Sequence, residues 1–421
     1  MMDSNNGLKK FFPHLCDEDS CTGCLSCYNV CRHDAISLRT DDEGFIHPMV
    51  QSDLCVGCKQ CENACPIQRN LQKHPVANIS YAAWTKDKSV LRNSSSGGIY
   101  SVIADYVLKN NGIVYGAAFD EKWNLRHIAT TDEDSFSQTR GSKYVASSVG
   151  TTFREVKEHL SHGIMVLYSG TPCQIAGLKS YLEICKCNTD SLFTIDLVCH
   201  GVPSPIVFKA NITFLENKFK SKIKAFSFRE KKWSWLRFNQ FASFENGAQY
   251  RGKWEEDCFY RGFLREYYLR PSCYQCLFAT ESRCGDFTLC DYWGYYKKKG
   301  ETVNKDWGVS LVIPNSKKAK ELWNIILPQA FAYQRDIHEA MNSNQAFHQC
   351  FKASPLREDF WKDFRNKGFE GVIDKYLFPD DISPQFKRIY RLGRNVNRML
   401  EIMARPKRSM FNILRKLRHE S

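Results

Sequence analysis

The sequence has no uninterrupted apolar run of about 18 residues, the length that argues for a membrane-spanning helix, so no transmembrane segment is expected. Its start, MMDSNNGLKKFFPHLC, lacks the long apolar stretch and small-residue cleavage site of a secretory signal. No solenoid repeat is present. There is no acidic surplus either: 59 Lys and Arg stand against 46 Asp and Glu, a net charge of +13. That excess sits at one end. Residues 385–421 hold 11 basic and 2 acidic side chains, which leaves about +4 for everything before them. A body this close to neutral argues against a nucleic-acid-binding protein, whose footprint is a basic face.

What the chain has in quantity is cysteine: 19 residues, nine of them before residue 66. With no secretion signal, a reducing cytoplasm is the expected setting, and clustered thiols there point to metal or redox chemistry rather than disulfides. The 421 residues, 43% apolar, suffice for two or three domains with a sizeable core. A Cys-rich unit over 1–72 is expected to be α+β and ferredoxin-like. Residues 68–78 are polar and read as a linker. A strand–helix rhythm follows, with strands at 113–119, 164–168, 192–198 and 309–314 and helices after 99, 174, 205 and 317. Such alternation predicts an α/β body with a mainly parallel sheet. Residues 226–300 are aromatic-rich and less periodic, and 331–421 read as a mostly helical extension ending in a basic tail.

The early cysteines form two runs, Cys21-x2-Cys24-x2-Cys27-x3-Cys31 and Cys55-x2-Cys58-x2-Cys61-x3-Cys65-Pro66. This is the bacterial two-cluster ferredoxin spacing, itself a worked example of the general rule, in which the fourth cysteine of each run ligates the other cluster. Cys21, Cys24, Cys27 and Cys65 are therefore expected to hold one 4Fe–4S cluster, and Cys55, Cys58, Cys61 and Cys31 a second. Gly23 and Gly57 let backbone amides approach the cluster sulfides. A pair of zinc knuckles would need paired ligands rather than two identical sets of four. Arg32 replaces the usual proline after the first run, and Cys16 lies outside both runs as a spare thiol.

Three features mark the body. Ser94, Ser95, Ser96, Gly97 and Gly98 precede an amphipathic helix, as an anion site for a cofactor pyrophosphate would, or as a Ser-rich cap would. Gly141, Ser142, Lys143 and Tyr144 offer a cation and a ring. Cys173 and Cys199 each follow a predicted parallel strand, the edge where α/β sheets bind ligands, and Cys273-x2-Cys276 adds a close pair. Four thiols from three segments match the need of a third 4Fe–4S cluster. They also match buried structural cysteines plus a zinc half-site.

The segments SSSGG, GSKYV, SGTPCQIAGLKSYL, VCHGVPSP, CYQC and CGDFTLCDYWG occur in that order. Over about residues 17–315 the chain resembles the beta-subunit family of coenzyme F-420 hydrogenases and dehydrogenases, fused behind a ferredoxin domain. The resemblance divides the body into an N-terminal region at 78–160 and a C-terminal region at 161–330. It implies an FAD-binding α/β fold with a cluster in the body, ligated by Cys173, Cys199, Cys273 and Cys276, with Cys284 and Cys290 as alternative ligands. FAD is expected against residues 94–98, 141–144 and Thr171. His200 and Lys143 are placed near its ring system for proton delivery and charge stabilisation.

The expected function is thus an FAD-dependent iron–sulfur oxidoreductase. It would exchange electrons with ferredoxin or another redox protein and reduce a small-molecule acceptor, in surface-polysaccharide synthesis rather than on F-420. An electron-transfer subunit without a substrate site, serving a catalytic partner, is the alternative. In the tail, Ile389, Leu392, Val396, Met399 and Met403 form an apolar stripe interleaved with arginines. The tail is expected to contact an acidic partner or the inner face of a membrane peripherally.

Overall fold

The computed structural model describes residues 12–377 except 70, 72, 303 and 304. The basic stripe of the tail and the last part of the extension lie outside the described residues.

The N-terminal unit is a small α+β element. Strands β1 (Ile36–Thr40) and β2 (Ile46–Val50) form an antiparallel hairpin. Each cysteine run turns in the same way: Gly23 and Gly57 take φ of 69° and 74°, Leu25 and Lys59 take 59° and 57°, and a short helix follows, Ser26–Val30 or Gln60–Asn63. Glycine serves the first position because φ > 0 costs it no Cβ clash. The stretch after this unit is anchored rather than free. Leu71 is buried, His74 N–H donates to the Arg283 carbonyl at 2.8 Å, and Lys73 Nζ donates to the Leu277 carbonyl at 2.8 Å.

The body contains β3 (Ser80–Thr85), β4 (Ile113–Phe119), β5 (Leu125–Thr130), β6 (Val166–Gly170), β7 (Leu192–Leu197), β8 (Ile223–Glu230), β9 (Asn239–Phe244), β10 (Gln249–Lys253), β11 (Phe287–Asp291), β12 (Ser310–Pro314) and β13 (Ala330–Arg335). Eight of these form one sheet in the order β13-β3-β12-β11-β7-β6-β4-β5. Only β11, β7, β6 and β4 run parallel to one another; β13, β3, β12 and β5 pair antiparallel with their neighbours. The sheet is therefore mixed, not mainly parallel. Apolar runs with intervening helices mark the parallel centre, as they should. They carry no sign of direction for strands brought in by the first and last segments of the body. Residues 330–335 are likewise a strand where helix was expected, paired along its whole length with β3.

Helices cover both faces. Ile99–Lys109 and Lys317–Ile326 bury Ile103, Val107, Leu322 and Trp323 against Val114, Leu167, Ile195 and Val312. On the other face Thr152–Ser161 and Pro172–Ile184 bury Phe153, Val156, Ile175 and Leu178 against Tyr115, Tyr168 and Val166. The same face receives the N-terminal unit through Leu25 and Val30. The aromatic-rich stretch is a second core. Strands β8–β10 form their own antiparallel sheet, and Phe208, Phe228, Phe259 and Tyr268 pack with Phe360, Trp361 and Tyr376 of the extension. Among the described residues, no helix is long and apolar enough to cross a membrane.

Candidate redox centre

In the thiols' surroundings, the fourth cysteine of each run lies with the first three of the other run. Cys24 is buried, which raises its pKa, and Cys65, Cys21 and Cys173 add to the rise. Cys27 is raised by burial and then by Cys24, Cys21 and Cys65, with Cys61 of the second run adding last. Cys61 is pushed up to about 11 by burial, with Cys31 and Cys58 contributing. The structure thus gathers Cys21, Cys24, Cys27 and Cys65 as an inner set against the body. Cys55, Cys58, Cys61 and Cys31 form an outer set, in which Cys58 is exposed beside the exposed Val56 and Leu54. Cys16 is not remote, as its position in sequence suggested. It lies against Cys21 and Cys65, and hydrogen bonding to them raises its own pKa.

The body thiols form a third set. Burial raises Cys199, and Cys273, Cys173 and Cys276 reinforce the rise. Cys173 is pushed up to about 11 by burial and by Cys276, and Cys273 to about 12 by burial with Cys173 and Cys276 adding. Local structure aims them. Thr171 caps the helix Pro172–Ile184 in a capping box with Gln174, which fixes Cys173 in the first turn. Cys273 lies within the turn Pro271–Gln275 and Cys276 directly follows it, and Val202 N–H lies 3.4 Å from Cys273 Sγ. Cys284 and Cys290 stand apart. Burial raises both, but the charged groups acting on them are Asp196 and Arg283, with Lys73 and Lys179 beside Cys284 and Asp291 beside Cys290, not thiols. Among the described residues, no three His, Cys, Asp or Glu side chains are gathered tightly enough for a single metal ion. A cube of four irons and four sulfides needs thiols spread around it, and four convergent thiols per set, most of them at least partly buried, fit that demand.

The parallel strands β4, β6, β7 and β11 end on a cavity of about 640 Å³, within the range of cofactor sites. Its wall includes Ser94 to Ser96 and Gly98, Gly141 to Tyr144, Thr171, Cys199 and His200. Gly97 is the exception. A Cβ there would lie 2.3 Å from the Ala83 carbonyl oxygen, and its N–H donates to Ser310 Oγ, so this glycine packs the loop against β3 and β12 rather than facing the cavity. The two polar motifs are stapled together by Ser142 N–H donating to Ser95 Oγ at 2.7 Å. Gly98, at φ 79°, caps the helix Ile99–Lys109 without a side-chain partner.

Lys143 Nζ donates to the carbonyls of Arg140 and Gly141 at 2.8 and 3.2 Å. Its side chain is half-buried but opens on the cavity instead of bulk water, and this loss of solvation pulls its pKa down to about 7. His200 Nε2 lies 2.7 Å from Glu266 Oε1, and its ring stacks on Phe351 at 3.6 Å between centroids. Residues the sequence reading missed come from the aromatic-rich stretch. Arg229 is 4% exposed, pairs with Asp291 and donates to Tyr144 Oη at 3.1 Å. Lys231 Nζ is held by three carbonyls, of Leu91, Ser96 and Trp307, behind the serine loop. The only sequence signal was two cations two apart at the end of a strand. Two buried polar atoms of wall residues, Arg229 Nε and His127 Nδ1, have no partner, as expected where a polar ligand completes a site. Burial holds His127 down at about 4, hence neutral.

Two four-thiol sets in a small N-terminal unit, and a third beside a cofactor-sized cavity, make the arrangement that of an iron–sulfur redox protein. Family comparison agrees. Residues 20–68 match the 4Fe-4S dicluster domain. Residues 80–153 and 165–339 match the N-terminal and C-terminal parts of the coenzyme F420 hydrogenase/dehydrogenase beta subunit. The chain belongs to that family and is an iron–sulfur protein of oxidoreductase type. Among solved structures, a chain of the F420-reducing NiFe hydrogenase complex from Methanosarcina barkeri is 18% identical, with a TM-score of 0.41 over 72% of this chain and 93% of that one. A search of curated proteins gives no match.

Proposed function

We propose that the chain is an iron–sulfur flavoprotein oxidoreductase, in which the outer, inner and body thiol sets each hold a 4Fe–4S cluster and the cavity holds FAD. The observation that carries the reading is the meeting of the inner set with the body. Cys24 counts Cys173 among its charged neighbours, and a Cβ on Gly177, in the helix that Cys173 begins, would lie 2.9 Å from Cys24 Sγ. Cys199 in turn lines the cavity. Outer set, inner set, body set and cavity thus follow one another in the order of a relay. Bound there, clusters pass single electrons, and a flavin converts them into a two-electron exchange with substrate.

The chain's own side chains have separable tasks. The loop 94–98, stiffened by Lys231, and the segment 141–144 present amides and the Lys143 cation to a diphosphate. Glu266 orients His200, the proposed proton donor, and Phe351 of the extension covers its ring. The proposed substrates are a redox protein such as ferredoxin at the exposed outer set and a small, sugar-linked or similar acceptor at the cavity. The setting is cytoplasmic, with the tail as a peripheral contact. Anaerobic addition of F-420H2, NADH or reduced ferredoxin to the purified protein tests this reading. Flavin bleaching by ferredoxin supports it, and a protein whose clusters take up electrons but which shows no flavin absorbance would reduce it to an electron-transfer subunit.

The depressed Lys143 gives a pH signature. Free Lys143 is charged below about pH 7 and neutral above it, while neighbouring His127, lowered by burial, stays neutral and Arg229, raised by Asp291, stays charged. Binding an anionic diphosphate favours charged Lys143, so above pH 7 binding must take up a proton. FAD affinity should fall by up to about tenfold per pH unit above 7. Lys143→Met should bind more weakly at pH 6 and lose the slope. Equal slopes in both proteins, measured by fluorescence quenching of free FAD, would remove Lys143 from the site.

A further inference from the structure

Five arginines are buried in the described chain: Arg229, Arg270, Arg283, Arg335 and Arg357. Four have a carboxylate partner: Asp291, Asp196, Glu301 and Glu43 respectively for Arg229, Arg283, Arg335 and Arg357. Arg270, 3% exposed, has none among the described residues. Its Nε donates to the Cys21 carbonyl at 2.6 Å and its Nη2 to the Ile46 carbonyl at 2.9 Å; His47 Nδ1 is 3.5 Å away, and the Phe45 ring lies against the guanidinium. A buried cation without an anion is expensive, so its position needs a balancing negative charge.

That position is the seam between two thiol sets. Arg270 grips the main chain of Cys21, an inner-set thiol, while its own carbonyl accepts the N–H of Cys273, a body-set thiol, at 2.8 Å. Its charge acts on Cys21, Cys173 and Cys273. Gly23 makes room for it, since a Cβ there would lie 2.7 Å from Nη1. Thiolate-ligated clusters in both sets are the anions that would balance it from either side.

We propose that Arg270 is a positioning residue whose charge makes the inner and body clusters easier to reduce together and keeps the step between them nearly level. This rests on the three-cluster reading above. With clusters bound in both sets, one electron passed from the inner to the body cluster would oxidise the first and reduce the second, and the Arg270 cation between the two sets would favour the added electron at both ends and penalise neither direction.

The test uses full-length protein prepared anaerobically, with iron assay and redox titration followed by electron paramagnetic resonance. Arg270→Gln should keep its iron, and its inner and body clusters should become about tenfold harder to reduce, about 59 mV for one electron. The outer cluster should not move. Arg270→Lys, which keeps the charge but not the fork of hydrogen bonds, should stay within about threefold of the native protein, a potential shift of less than about 30 mV. Loss of iron in Arg270→Gln with retention in Arg270→Lys also supports a role for charge. Unchanged potentials in Arg270→Gln, or equal loss of iron from both variants, overturns the proposal in favour of a structural peg. Native protein with only about 8 Fe overturns the three-cluster reading, and the proposal with it.

Discussion

Cys173→Ala is expected to lower the iron content from about 12 to about 8 per chain and to remove one of three cluster signals. The substitution is small in every other respect. Thr171 and Gln174 still form their capping box, so the first turn of Pro172–Ile184 survives. Alanine suits a helix interior. What is lost is one of four thiols gathered from three separate segments, and three thiolates do not complete a cube. Cys199→Ala and Cys276→Ala should behave alike. Cys284→Ala and Cys290→Ala should keep all the iron, because those thiols sit among Asp196, Arg283 and Asp291 rather than with the set. Iron assay with electron paramagnetic resonance of the reduced protein makes the comparison. Full iron in Cys173→Ala together with loss in Cys284→Ala would move the ligand set to the CGDFTLC segment.

Some of this was legible in the sequence and some was not, for reasons that differ by element. The paired cysteine runs are local. Each needs only a tight turn with glycine at its second position, and Gly23 and Gly57 supply it with near-identical backbone angles. The helices from Ile99, Pro172, Pro205 and Lys317 are marked by apolar periodicity or by proline in the first turn. Strand direction is different. β12 and β3 have the same apolar character as β7, yet they lie antiparallel, because direction is set by the path of the chain and not by side chains. Arg229, Lys231 and Asp291 escaped for a related reason: their partners lie 56 to 140 residues away, and no short motif joins them. Gly97 was expected at the cofactor but packs on β3 and β12, because a glycine that packs on a strand and one that admits a phosphate look alike in sequence. Only the 2.3 Å approach to the Ala83 carbonyl separates them.

The largest loss of stability should come from Asp196→Ala, at about 3–5 kcal/mol. Asp196 is fully buried at 0% exposure near the end of β7. Its Oδ1 accepts from Arg283 Nη2 at 3.1 Å and from Thr288 Oγ1 at 2.6 Å. Its Oδ2 accepts the N–H groups of Cys284 and Gly285 at 3.0 and 2.9 Å. Alanine strands all of these donors and leaves Arg283, 2% exposed, as a cation without its partner. Breaking such a pair costs more than the pair contributes, because the desolvated charge remains. The effect should reach the redox centre. Asp196 lies three residues before Cys199, and Arg283 is a charged neighbour of Cys276, so the pair ties two segments of the body set together. Urea unfolding of Asp196→Ala should show a lowered midpoint, and its iron should fall toward about 8 per chain as the body set loosens. The double variant Asp196→Leu with Arg283→Met removes both charges and fills the space with apolar atoms. It should be less destabilised than Asp196→Ala alone, since the two sites are in contact and their effects do not add. If the single and double variants unfold at the same urea concentration, the loss is one of shape, and the buried ion pair does not hold β7 to the CGDFTLC segment.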